Sequence, residues 1–267
     1  MIGIFDSGVG GLSVFREIRK VLPGEKYVYF SDNAHCPYGE KSREYIIGRA
    51  RWITEFLLER GADIIVVACN TATAAAIATL REEYAVPFIG MEPAVKPAVA
   101  ATRTGVVGVL ATAGTLKAEK YRDTRGKYGE GVRIVEHVGQ GFVELVERGE
   151  TEGPEAESTV RESIAPLLAA GADTIVLGCT HYPFLAPVIR KVAAELAPGR
   201  GITIIDPAPA VARHLVEVMN EKGLLSEGAA AGADGGCAEG YPAGYSLELC
   251  ASGSPAALET ACSRLLK

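Results

Sequence analysis

Two of the six cysteines stand apart because their surroundings repeat. Cys69 ends the run Gly61-Ala62-Asp63-Ile64-Ile65-Val66-Val67-Ala68-Cys69-Asn70, and Cys179 ends Gly171-Ala172-Asp173-Thr174-Ile175-Val176-Leu177-Gly178-Cys179-Thr180. Each follows an apolar, β-branched run and precedes a longer amphipathic stretch, the pattern of a buried strand that passes into a helix. A helix N-terminus favours a thiolate, while burial opposes it. Two such thiols facing each other suit racemisation at a carbon acid. A thiolate takes the proton from one face, the opposite thiol returns a proton to the other face, and exchanged roles run the reverse reaction. The α-hydrogen of an amino acid is very weakly acidic. The site must therefore stabilise a carbanion-like species electrostatically and keep water away.

Other strand ends carry polar groups suited to that task. Asp6-Ser7-Gly8-Val9-Gly10-Gly11 fails as a dinucleotide fingerprint, because Ser13 stands where the third glycine belongs. Its backbone N–H groups instead suit a small carboxylate. Ser31-Asp32-Asn33-Ala34-His35-Cys36-Pro37-Tyr38-Gly39 follows the apparent strand Tyr27 to Phe30. His35 reads as a surface or capping residue, since adjacent side chains such as His35 and Cys36 point apart. Asp6 and His181 are placed to assist the neighbouring thiols as acid–base partners. Ser7, Asn70, Thr71 and Thr180 supply neutral donors for carboxylates.

The remaining cysteines and acids have plainer readings. Cys36, Cys250 and Cys262 read as small packed residues, and Cys237 lies in a Gly/Ala-rich loop. No CxxC pair supports a zinc site or thiol–disulfide exchange. Glu147 shares a charged helix face with Glu144 and Arg148 and reads as solvated. Asp63 and Asp173 precede their strands and read as turn residues, away from the carboxyl ends. His137 and His214 have no thiol or acidic motif beside them and read as surface or packing residues.

The elements that must position these groups are written twice. Ile2-Gly3-Ile4-Phe5-Asp6-Ser7-Gly8 aligns with Val107-Gly108-Val109-Leu110-Ala111-Thr112-Ala113, and Glu92-Pro93-Ala94 answers Asp206-Pro207-Ala208. Three echoes in one order point to a duplicated α/β unit. Amphipathic stretches run from Leu12 to Val21, Ser42 to Arg60, Ala72 to Tyr84, Thr115 to Tyr128, Phe142 to Arg148, Ala156 to Ala170 and Leu185 to Ala197. On the second of these, Tyr45, Ile46, Trp52, Ile53, Phe56 and Leu57 form one stripe. Strand–helix alternation predicts two pseudo-symmetric, doubly wound α/β domains with mostly parallel sheets. Ligands bind beyond the carboxyl ends of such strands, here in a cleft between the domains. The expected limits are 1–97 plus 208–267 for the first domain and 98–207 for the second. The returning tail carries a helix from Pro209 to Lys222, a loop from Gly228 to Gly244, a strand from Tyr245 to Ala251 and a last helix. Ser254 caps that helix, and Pro255 occupies its first position.

Composition narrows the classes further. The chain has 267 residues, 48% hydrophobic and 22% charged, with net charge −6. Ample apolar content excludes a disordered chain. An acidic balance without dense Lys/Arg runs argues against nucleic-acid binding. No apolar stretch is long enough for a membrane span, and Met1 leads straight into strand-like sequence, so a soluble cytoplasmic protein is expected.

At these residues the sequence resembles the glutamate racemases of the cofactor-independent aspartate/glutamate racemase superfamily. The matching motifs are Gly3 to Gly11, Pro37-Tyr38-Gly39, Ala68-Cys69-Asn70-Thr71-Ala72, Gly90 to Ala98, Gly108-Val109-Leu110-Ala111-Thr112 and Leu177-Gly178-Cys179-Thr180-His181-Tyr182-Pro183. They occur in order from 3 to 183, and the tail fits more loosely. The resemblance implies interconversion of L- and D-glutamate, which supplies D-glutamate for peptidoglycan and hence for cell-wall biogenesis and cell shape. It implies Cys69 as the acid/base acting on D-glutamate and Cys179 as the one acting on L-glutamate, assisted by Asp6 and His181. Substrate contacts are implied at Asp6, Ser7, Tyr38, Gly39, Asn70, Thr71, Thr112, Thr180 and His181. Asp32 and Glu147 match acidic positions linked to the site. No cofactor and no metal are implied; pyridoxal phosphate would need a Schiff-base lysine and a phosphate cup. A homodimer is implied, with no nucleic-acid or membrane partner. One departure is Val138-Gly139-Gln140, where many members carry a cysteine–proline pair. Rival readings are a racemase for aspartate or another acidic amino acid, and a non-catalytic two-domain protein that closes on a small anion.

Overall fold

The computed structural model describes residues 1–91, 94–226 and 245–266. The expected loop from Gly228 to Gly244 with Cys237, and the Glu92-Pro93 part of the third echo, lie outside the described residues.

Elements are numbered in chain order. The first stretch runs β1 (Ile2–Asp6), α1 (Leu12–Val21), β2 (Lys26–Ser31), two short 3₁₀ turns (Asn33–His35 and Tyr38–Glu40), α2 (Arg43–Glu59), β3 (Ile64–Val67), α3 (Asn70–Glu83) and β4 (Phe88–Gly90). Next come α4 (Val95–Ala101), β5 (Val106–Ala111), α5 (Ala113–Lys117), α6 (Glu119–Tyr128), β6 (Arg133–Val138), α7 (Phe142–Arg148), α8 (Pro154–Ala169), β7 (Thr174–Gly178), a 3₁₀ turn (Tyr182–Leu185), α9 (Ala186–Leu196) and β8 (Thr203–Ile205). The tail adds α10 (Ala208–Lys222), β9 (Ser246–Ala251) and α11 (Pro255–Leu265). The chain divides into two compact units, 1–91 with 208–267 and 92–207. Residues 95–97, grouped above with the first domain, begin α4, which packs on α6 and β7 of the second unit.

Each unit holds one parallel sheet. The first has the order β4-β3-β1-β2-β9, the second β6-β5-β7-β8. Matching β1 with β5, β3 with β7, β2 with β6 and β4 with β8 superimposes the two orders, and among the described strands β9 has no counterpart. The duplication read from short sequence echoes is therefore a duplication of topology. Central strands are buried along their whole length, as at Ile64–Val67 and Thr174–Gly178, because helices cover both faces. The edge strands β6 and β9 are only partly buried, and β9 alternates exposed with half-buried residues over its first four positions.

Helix boundaries follow local chemistry. Ser42 caps α2 by accepting from Tyr45 N–H, and Ser254 caps α11 by accepting from Ala257 N–H, with Pro255 at the first turn. The expected helix from Thr115 to Tyr128 is instead two, broken at the extended Ala118. On α2 the buried face is Ile46, Ile47, Ala50, Ile53, Thr54 and Leu57. Tyr45 and Trp52 lie on its flank, 41% and 46% exposed, rather than in the core. Trp52 stacks on Phe56 and carries the Arg49 guanidinium over its face at 4.8 Å, a cation–π contact that tolerates water.

The two repeated aspartates serve the opposite end of the sheets from the cysteines. Asp63 pairs with the Met1 ammonium at 2.8 Å, where β1 begins. Asp173 is buried and accepts from Thr102 Oγ1, Arg103 N–H and Thr104 N–H, just ahead of β5. Burial by itself would raise the Asp173 pKa, but these donors outweigh it and lower it to about 2. Each aspartate anchors the start of the neighbouring strand.

Candidate active site

In the first unit, the carboxyl ends of β1, β2 and β3 bring together most of the expected residues. Asp6 ends β1 fully buried, and its Oδ2 accepts from Gly8 N–H at 3.0 Å, which curls the loop back on itself. Gly11 is obligatory in that loop, because a Cβ there would lie 2.7 Å from both Asp6 Cβ and Tyr29 Oη. The Tyr29 hydroxyl supports the loop from below by donating to Gly8 O at 3.2 Å.

Cys69 follows β3 in extended conformation and is itself the N-cap of α3, its sulfur accepting from Ala72 N–H at 3.4 Å. A sulfur that receives a helix N-terminal donor is placed where negative charge is favoured. Cys69 Sγ also lies 3.7 Å from Ser7 Oγ. Only 5% of Cys69 is exposed. Asn70 begins α3, and its side-chain Oδ1 and Nδ2 are both buried with no hydrogen-bond partner among the described residues. A buried amide left without partners is costly, and it is satisfied when a ligand supplies them. Thr71 is buried beside it. Thr73 Oγ1 donates to Val67 O and accepts from Met91 N–H, which locks the start of α3 to the ends of β3 and β4.

Asp32 and Tyr38 lie just after β2. Asp32 is fully buried and ionised. Arg49 grips it with two bonds, Nε to Oδ2 at 2.9 Å and Nη2 to Oδ1 at 2.7 Å. Tyr38 Oη donates to Oδ2 at 2.5 Å, and His35 Nδ1 lies 2.9 Å from Oδ1. Burial opposes the Asp32 charge, yet Arg49, Tyr38, Ser252 and His35 together hold its pKa below the usual carboxylate range. Tyr38 moves the other way, raised first by burial and then by Asp32 and Cys69. His35, read as a surface or capping residue, is half-buried and pairs with Asp32.

The second unit solves the same problem differently. Cys179 follows β7, 7% exposed, but the turn after it is 3₁₀ and the α-helix begins only at Ala186. Helix α9 begins within one residue of the expected Leu185, so Cys179 caps no α-helix N-terminus as Cys69 does. A side-chain pair takes over that role. His181 is buried, with Nδ1 at 3.7 Å from Cys179 Sγ and Nε2 at 2.6 Å from Glu147 Oε1. Glu147 is therefore not a solvated residue of a charged face: α7 turns it onto the histidine. Thr112 caps α5 by accepting from Thr115 N–H and stands one residue beyond the Ala111–Gly178 register pair, as Cys179 does on β7. Thr180 is buried beside Cys179.

Tyr182 packs closely against the stretch at 138–140. Its hydroxyl donates to Gly139 O at 3.3 Å, and a Cβ on residue 139 would come within 2.6 Å of that oxygen. Only glycine leaves room for this ring. Burial raises the Tyr182 pKa, and Cys179 adds to the effect.

The other cysteines and histidines stay outside these clusters or beside them. Cys36, Cys250 and Cys262 are half-buried rather than fully packed. Burial pushes the Cys250 thiol up to about 11, helped by Glu248. His137 bonds to Val138 O, and His214 pairs with Glu217 at the surface. Sequence reasoning missed Arg49, Tyr29 and the Gly139–Tyr182 fit; the partners are 17, 21 and 43 residues apart, and no local motif announces them.

A duplicated parallel α/β fold, with a cysteine at the same strand end in each half and separate polar partners for each sulfur, is the arrangement that a two-thiol acid/base protein would need. Comparison with known proteins gives the family. The chain belongs to the Asp/Glu/hydantoin racemase family, whose model matches residues 2–215. It is 54% identical over 233 residues to a glutamate racemase from Methylococcus capsulatus, covering 87% of this chain and 84% of that one. A glutamate racemase from Pseudomonas aeruginosa is 52% identical over 231 residues, covering 86% and 85%. Among solved structures, a glutamate racemase isoform from Bacillus anthracis is similar with a TM-score of 0.83 at 32% identity, over 100% of this chain and 93% of that one. The glutamate racemase from Francisella tularensis, solved in complex with D-glutamate, has a TM-score of 0.79 at 27% identity, over 99% and 92%.

Proposed function

We infer that this chain interconverts L- and D-glutamate by proton transfer at Cα, with Cys69 and Cys179 as the two acid/base groups. The observation that carries the reading is the placement of a cysteine at each of two topologically equivalent strand ends, each sulfur within reach of its own polar partner. Relatives above 50% identity over most of the chain carry the same activity in their names.

In the D-to-L direction, the Cys69 thiolate removes the Cα proton, forming S–H as C–H breaks. The Cys179 thiol then gives its proton to the opposite face, forming the new C–H. The chain is left with Cys69 protonated and Cys179 ionised, the state suited to L-glutamate. Exchange with water resets it: Cys179 regains a proton through His181 and Glu147, and Cys69 releases its proton to water with the help of Asp6. Ser7, Asn70, Thr71 and Thr180, with the backbone at Tyr38, Gly39 and Thr112, hold the carboxylates and ammonium so that the Cα–H meets sulfur. Asp6 holds its loop and assists Cys69. Fixed donors of this kind stabilise developing charge without reorganising.

Such a product serves the assembly of peptidoglycan. No helix among the described residues is long and apolar enough to cross a membrane, and we propose a cytoplasmic homodimer; sedimentation analysis of the purified protein tests its oligomeric state. Racemisation in D₂O without added cofactor tests the chemistry. Deuterium should appear at Cα of the product, and Cys69→Ser and Cys179→Ser should each lose about 10³-fold in rate. Retained turnover in either variant would overturn the two-thiol assignment. Parallel assays with both enantiomers of aspartate should show turnover far below that with glutamate.

A further inference from the structure

Arg49 has no place in the proton transfers described above, yet it is the most elaborately engaged arginine near the first-unit site. It comes from the second turn of α2, and its guanidinium is held on three sides. Two N–H groups grip Asp32, and one face lies on the ring of Trp52. Asp32 in turn accepts the Tyr38 hydroxyl, and Tyr38 is buried in the same apolar cluster as Cys69. The turn Tyr38–Glu40 packs directly against α3, the helix that Cys69 caps.

We infer that Arg49 is a positioning residue of the glutamate site: through Asp32 it locks the Tyr38 ring, and with it the Tyr38-Gly39 backbone, against Cys69. Asp32 is then an anchor rather than a proton carrier. All the donors around it favour its ionised form, and its oxygens are occupied by Arg49, Tyr38 and His35. Lysine cannot replace the arginine without loss. A planar fork makes two parallel bonds to a carboxylate and stacks on an indole, and an ammonium does neither. The inference rests on the function proposed above, but one of its readouts does not depend on turnover.

The test uses the full-length protein with Arg49→Lys, Tyr38→Phe and the double variant. Arg49→Lys should raise KM for both enantiomers about tenfold with kcat changed far less, the effect of a slightly misplaced substrate-positioning turn. Tyr38→Phe should do the same. The double variant should be no worse than the poorer single one, because both changes cut the same chain of contacts. In the absence of substrate, iodoacetamide labelling of Cys69, followed by peptide mass spectrometry, should speed up several-fold while Cys179, in the other unit, keeps its wild-type rate. If Arg49→Lys does not fold, Arg49→Met with Asp32→Asn removes both charges of the pair and is judged by the same readouts. Three outcomes overturn the inference: unchanged KM and Cys69 labelling, effects of the single variants that multiply, or faster labelling of both thiols, which marks general loosening. A wild-type protein that does not racemise glutamate would instead sink the proposed function and leave Cys69 labelling to decide this point.

Discussion

His181 Nε2 lies 2.6 Å from Glu147 Oε1, while the other ring nitrogen of the same histidine lies 3.7 Å from Cys179 Sγ. A carboxylate behind the imidazole sets its tautomer and steadies the imidazolium form, so the ring can exchange protons with the sulfur. Glu147→Gln should therefore lower kcat about tenfold, and His181→Asn about a hundredfold, because the second removes the group we propose as the proton carrier. The pair variant should match His181→Asn alone, as expected for two groups acting in series. Polarimetric or coupled assays in both directions provide the check; a multiplicative double variant would argue for separate roles.

Asn70 offers a contrast between stability and function. Its amide is buried without a partner among the described residues, so truncation breaks no bond to them. Asn70→Ala should keep or slightly raise the thermal midpoint while raising KM for glutamate at least about tenfold. A fall in thermal stability without a kinetic change would show the amide to be structural.

Asp173 predicts a pH dependence of stability. Its folded pKa, about 2, lies below the ordinary carboxylate value, so its contribution is fully present above that ordinary value, and is lost as pH falls through the folded one. Asp173→Ala should cost about 3 kcal/mol near neutrality, since three donors lose their acceptor. The gap to the wild type should shrink between about pH 4 and pH 2. Urea titrations across that range measure it, and a gap independent of pH would contradict the assignment.

Gly139 tests the fit to Tyr182. Gly139→Ala brings a methyl group into the ring hydroxyl and should destabilise the protein by about 1–3 kcal/mol, the scale of local overpacking. Adding Tyr182→Phe should recover part of that loss, because the closest approach is to the hydroxyl oxygen. Failure of the second change to help would place the strain elsewhere.

Sequence by itself determined the duplication, the strands that end in Cys69 and Cys179, and nearly every helix, because each is a local pattern of apolar spacing and capping. It also marked Asp6, Asn70 and His181, which stand within a few residues of a strand end. What only the tertiary structure decided were the pairings that make these groups work: Arg49 on Asp32, Tyr29 under Gly8, Glu147 on His181, and Gly139 beneath Tyr182. Those partners are 17 to 43 residues apart in the chain. A hydrogen bond depends on where the backbone returns, and a charged helix face such as that of Glu147 looks solvated until the helix that carries it has been packed.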